Sequence, residues 1–122
     1  MKTLTQHYKQ LMALYLDQLM STGWEAQNIA QKITTQKQLV ARAERRLRHA
    51  PEPMCAAIDQ MLELIQTQLE LTLPATQRMT TYRNSAQHCD YDRALMFRSA
   101  LLEEQRRLRE LRPSLEEHVH AA

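Results

Sequence analysis

The sequence predicts an all-α protein, and three observations predict it. A single glycine, Gly23, and four prolines among 122 residues leave too few of the turn-formers that a sheet protein needs. Gln, Leu, Arg, Glu and Met, which are good helix formers, dominate the remainder. Apolar residues recur at three- and four-residue steps along most of the chain, the spacing that collects them on one side of a helix. The length suits one domain with a modest core, so residues 1–122 are expected to form one helical domain. The expected architecture is four to five helices in antiparallel hairpins or a bundle.

Helix one is expected over 3–21, with Leu4, Tyr8, Leu11, Met12, Tyr15, Leu19 and Met20 on one face and Leu14 and Leu16 widening it. Helix two, over 24–49, opens on Thr22-Gly23-Trp24-Glu25, a spacing that fits a reciprocal Thr–Glu capping box. Ile29, Ile33, Val40 and Leu47, with Ala26, Ala30 and Ala43, form its narrow stripe, and Pro51 and Pro53 stop it. Helix three, over 53–72, turns Met54, Ile58, Met61, Leu62, Ile65 and Leu69 inward and carries Glu52, Asp59, Glu63 and Glu70 on its other side. Pro74 is read as a break that seeds helix four, over 74–88. Asp90 is read as the N-cap of helix five, over 91–112, with Tyr91, Ala94, Leu95, Leu101, Leu102, Leu108 and Leu111 inward. Pro113 ends it, and residues 114–122 are expected to fray.

The net charge is +2, unevenly spread: residues 1–50 carry +5 and residues 51–122 carry −3. No domain-wide basic excess marks a dedicated nucleic-acid binder. No apolar run approaches the roughly 20 residues of a bilayer span, and the N-terminal residues lack the apolar run of a signal peptide. Cys55 and Cys89 lie far apart with no CxxC pair. A reducing cytoplasm with free thiols is expected, with no membrane partner.

Several constellations carry chemistry by residue type. His88, Cys89, Asp90 and Asp92 crowd one stretch, but zinc requires four converging ligands, usually from two short pairs, so no metal is expected. There is no nucleophile with an evident base, no Gly-rich phosphate loop and no HExxH, so no enzyme activity and no cofactor are expected. Arg42, Arg45, Arg46 and Arg48 close helix two, and Arg106, Arg107 and Arg109 close helix five. Arginines three and four apart share a helix face and can neutralise phosphates, which makes a nucleic-acid-handling accessory protein the alternative function. The favoured reading of the same arginines is that they complement the helix dipole and meet the acidic side of helix three by antiparallel packing.

Residues 79–102 resemble the UvrB/UvrC-type (UVR) helical hairpin. The resemblance is carried by Ala86-Gln87-His88-Cys89-Asp90-Tyr91-Asp92-Arg93-Ala94, then Phe97-Arg98 and Leu101, with Ser99 standing where the motif usually has an acid. It implies a hairpin that docks on a partner's matching hairpin, with Asp90, Tyr91, Arg98 and Leu101 at the contact. The overall organisation is also similar to the small export chaperones of flagellar and type III secretion systems, through its length, its helices and Gly23-Trp24-Glu25. Together these readings predict a cytoplasmic protein–protein interaction module, an adaptor, regulator or export chaperone. It would take a partner helix, or a second copy of itself, through an apolar helix face. Trp24, Tyr91, Phe97, Arg98 and Leu101 are the candidate contacts, since aromatics and Arg dominate interface energetics.

Overall fold

Thr3 opens the first helix with a complete capping box. Its hydroxyl accepts from the Gln6 amide at 3.2 Å, while its own amide donates to the Gln6 carboxamide at 2.8 Å. Two of the donors that a helix start leaves unpaired are thereby satisfied. The computed structural model describes the backbone of residues 2–78 and 85–121 and the side chains of residues 2–72 and 92–112. Four helices account for almost all of it: α1 (Leu4–Leu19), α2 (Gly23–Arg46), α3 (Pro51–Arg78) and α4 (Ser85–Ala121). There is no strand among the described residues, and no helix among them is long and apolar enough to cross a membrane.

The turn into α2 departs from expectation. Thr22 is the N-cap, in extended conformation, but its side chain makes no capping bond. Gly23 enters the helix at φ 63°, a left-handed geometry that costs glycine little and a branched residue much. Thr22 itself has ordinary N-cap dihedrals; the irregular residue is Gly23, the first position of the helix that a Thr–Glu box would span. At its far end α2 stops at Arg46 rather than near residue 49. The Leu47 amide closes on Ala43 and Glu44, and a short turn reaches Ala50. Pro51 then starts α3, two residues earlier than expected, because a first-turn proline gives up only a donor that has no partner there.

Neither later proline breaks a helix. α3 runs through Pro74 to Arg78, and α4 runs through Pro113 to Ala121. A mid-helix proline removes one hydrogen bond and usually kinks the axis, yet here helix-forming sequence resumes on both sides. The Arg98 guanidinium also braces the turn before Pro74, donating to the Leu69 carbonyl and to the Thr72 hydroxyl. The expected fourth helix therefore does not exist as a unit. Its first residues finish α3 and its last begin α4. Asp90 lies inside α4 instead of capping it, and there is no turn at residues 90–92.

Helix α1 packs against α2, α3 packs against α4, and α1 also touches both α3 and α4. The hairpins are antiparallel: Arg98 reaches Leu69, Gln105 reaches Gln66, and Arg112 reaches Asp59. One core results, built from Leu4, Tyr8, Leu11 and Tyr15 of α1, Ile33 and Val40 of α2, Met54, Ile58, Met61 and Ile65 of α3, and Phe97, Leu101 and Leu108 of α4. The stripes expected on α1 and α3 are the buried ones, except that Leu19 and Leu62 are half-buried and Met20 caps α1 in solvent. On α4 the expected stripe is partly out of phase. Ala94, Phe97, Leu101 and Leu108 face inward, whereas Leu95, six positions before Leu101, and Leu102, one position after it, fall on the exposed flank.

Candidate functional site

Because α2 rests chiefly on α1, a crevice of about 280 Å³ opens between α2 and α4. Leu11 and Val40 line it on the apolar side, and Lys37, Glu44, Glu104 and Arg107 on the polar side. The buried Tyr8 hydroxyl donates to Glu44 Oε2 at 2.6 Å. Arg107 Nη1 donates to both Glu44 oxygens at 3.0 and 3.1 Å, and Arg107 Nη2 donates to Glu104 at 3.0 Å. Glu44 is 8% exposed, so this network ties α1, α2 and α4 together in a partly dry environment.

Its electrostatics favour a clasp over acid–base chemistry. Burial pushes the Tyr8 phenol well above its usual range, and the neighbouring Glu44 carboxylate pushes it further. Tyr8 therefore stays protonated as a donor at neutral pH. Burial opposes the charge on Arg107, but its hydrogen bonds to Glu44 and Glu104 outweigh that and raise it overall. Tyr15 is also raised, first by burial and then by Glu104 and Glu103. Its hydroxyl is buried without a hydrogen-bond partner, and the Lys37 ammonium stands 6.0 Å from its ring centre. On the same helix, His7 is lowered by burial and by the Lys2 and Arg46 charges.

Nothing in the helix-by-helix sequence reading singled out this network. One signal was available: Glu44 follows Val40 by four residues, which puts a carboxylate on α2's buried stripe. Gln36 sits on the same stripe, where it donates to the His7 carbonyl at 3.0 Å.

The expected contact residues are dispersed. Trp24 is 74% exposed. It lies nine positions before the buried Ile33, half a turn out of phase, on the side of α2 away from α1. Phe97 and Leu101, expected as contacts, lie in the core, because α4 turns them onto the other helices. Arg98 is half-buried and bonded to α3. The side chain of Tyr91 lies outside the described residues, as do those of His88, Cys89 and Asp90.

The arginines separate in the same way. Arg107 turns inward to Glu44 and Glu104, and Arg106 lies 3.9 Å from Glu110 one turn along. Arg109 is exposed. Arg42, Arg45, Arg46 and Arg48 are all exposed on or just past the end of α2. α2 packs chiefly on α1, and Asp59 of α3 pairs with Arg112 of α4 at 2.6 Å. At the base of the molecule a mostly apolar cavity of about 350 Å³ lies among Lys2, Leu4, Ala43, Arg46, Leu47 and Pro53.

In comparisons with known proteins, no family model matches the chain, and no curated protein or solved structure matches it at a significant level.

Proposed function

We propose that this chain is a helical protein–protein interaction module of the cytoplasm, an adaptor, regulator or export chaperone, and that Trp24 anchors its partner. The observation that carries the reading is the exposure of the only tryptophan in the sequence, at 74%, on a helix side that takes no part in the core. A rigid indole costs little entropy to immobilise and contributes a large contact area, which is why tryptophan is enriched at interface hot spots. The resemblance to export chaperones through Gly23-Trp24-Glu25 supports the same residue. The UVR-type resemblance supports hairpin docking, though Leu101 serves the molecule's own core and Arg98 its own α3. The partner is a helix of another protein or a second copy of this chain.

The test compares Trp24→Ala with the wild-type protein. Trp24→Ala keeps helicity and melting temperature, because the side chain supports nothing in the fold, and loses the partner recovered from a native-host extract or formed by self-association. In the wild type, the emission of this single tryptophan shifts to shorter wavelength when the partner covers it. A partner held equally well by Trp24→Ala, with no spectral shift, overturns the proposal.

A further inference from the structure

α1 packs against one side of the α3–α4 pair, and no helix among the described residues covers the other. On α4, Phe97 shares a cavity with Tyr15 of α1, while Glu104 and Arg107 turn to the clasp. Leu95, Leu102 and Arg109 each stand two positions from one of those three, about 200° round the helix. On α3, Ala57 shares a cavity with Leu4 of α1, and Cys55, two positions before it, starts a row that continues with Leu62 and Leu69. Both rows repeat every seven residues, the spacing that keeps side chains on a face where long helices meet. Leu95 and Leu102 are 39% and 47% exposed, and Cys55 and Leu62 are half-buried.

We infer that this outer α3–α4 face pairs with the same face of a second copy of the chain, an interface separate from the contact assigned to Trp24. Its charges make it complementary to itself. From Pro51 to Gln77, α3 holds Glu52, Asp59, Glu63 and Glu70 and no base, whereas the outer side of α4 presents Arg106 and Arg109. Asp59 is held by Arg112, but Glu63 and Arg109 have no side-chain partner among the described residues. The Gln105–Gln66 and Arg112–Asp59 contacts fix the levels of the two helices. Leu102 stands level with Leu69, and Arg109 stands level with Leu62 beside Glu63. A two-fold axis along the α3–α4 seam keeps those levels and lays α4 over α3 of the other copy. Each Leu102 then packs over the partner's Leu69. Each Arg109 rests its stem on the partner's Leu62 and brings its guanidinium to the partner's Glu63. Four helices with antiparallel neighbours enclose the apolar rows. A foreign helix of one charge sign would suit one edge of this face and meet like charge at the other.

Sedimentation equilibrium of the full chain, from about 1 to 200 μM, tests this, because a dimer's population follows concentration. The wild type sediments as a dimer in the upper part of that range. Leu95→Gln/Leu102→Gln weakens the dimer by about 100-fold or more and leaves monomer helicity unchanged, since four part-exposed leucines lose their cover. Glu63→Arg alone and Arg109→Glu alone each weaken it by about tenfold, because two symmetric contacts turn repulsive. Mixing those two single variants restores wild-type affinity, since every Arg again meets a Glu across the axis. That recovery in trans cannot come from a contact within one chain. A monomer at every concentration, a dimer indifferent to the leucine variant, or a mixture that stays as weak as its components overturns the inference. Trp24→Ala dimerises as the wild type does. A dimer lost in Trp24→Ala but kept in Leu95→Gln/Leu102→Gln overturns this interface while supporting the Trp24 contact, so the two failures are distinguishable.

Discussion

Replacing Glu44 by alanine tests whether the buried clasp holds α2 in place. The Tyr8 hydroxyl, inside a residue that is 1% exposed, loses its acceptor, and a buried orphan of this kind costs about 1–3 kcal/mol. Arg107 loses one of its two carboxylates, but its side chain is 40% exposed and Glu104 remains, so water screens that loss to about 1 kcal/mol or less. With the lost side-chain packing, the total is about 3 kcal/mol. An unfolding entropy of about 2.1 cal/mol/K per residue makes 1 kcal/mol worth about 4 °C in a chain this long, so Tm falls by about 12 °C. Thermal and urea unfolding followed by circular dichroism measure both quantities. A double-mutant cycle with Tyr8→Phe isolates the direct bond, with an expected coupling of about 1–2 kcal/mol. A loss below 1 kcal/mol in Glu44→Ala, or strict additivity in the cycle, would show that the crevice is already open to water and that the clasp holds nothing.

Alkaline titration probes the buried phenols. Tyr8 and Tyr15 are raised above their unfolded values by burial and by nearby carboxylates, so the folded state holds their protons longer. Their contribution to stability is complete below about pH 10 and is lost as pH rises beyond it. Phenolate absorbance equivalent to two tyrosines is expected to appear only together with loss of helicity, and ionisation of all four near pH 10 with the helices intact would contradict the burial. Thr3→Ala removes the α1 capping box and is expected to cost about 1 kcal/mol, read as a lower urea midpoint at unchanged m-value.

How much of this was legible in the sequence depended on whether the signal was local. The faces of α1 and α3 were readable because Tyr8, Leu11, Tyr15, Met54, Ile58, Met61 and Ile65 form uninterrupted stripes that match their burial. The face of α4 was harder, since Leu95 and Leu102 are as apolar as Leu101 and Leu108, and only contact with α3 and α1 chooses between the two phases. Pro74 and Pro113 misled for a related reason: a local rule for stopping helices yielded to favourable sequence on both sides. Trp24 could be nominated from its type and place, but its exposure depended on which side of α2 met α1. The clasp could not be found by spacing at all, because Tyr8 and Arg107 lie 36 and 63 positions from Glu44.

The central position of α1 gives the molecule an order of disassembly. Since α1 is the common support of α2 and of the α3–α4 pair, transient detachment of α2 leaves the other three helices with their shared interior. Detachment of α1 strips both sides at once. Amide exchange is therefore graded, with α2 opening in small local excursions and α1 exchanging only when the whole fold is lost.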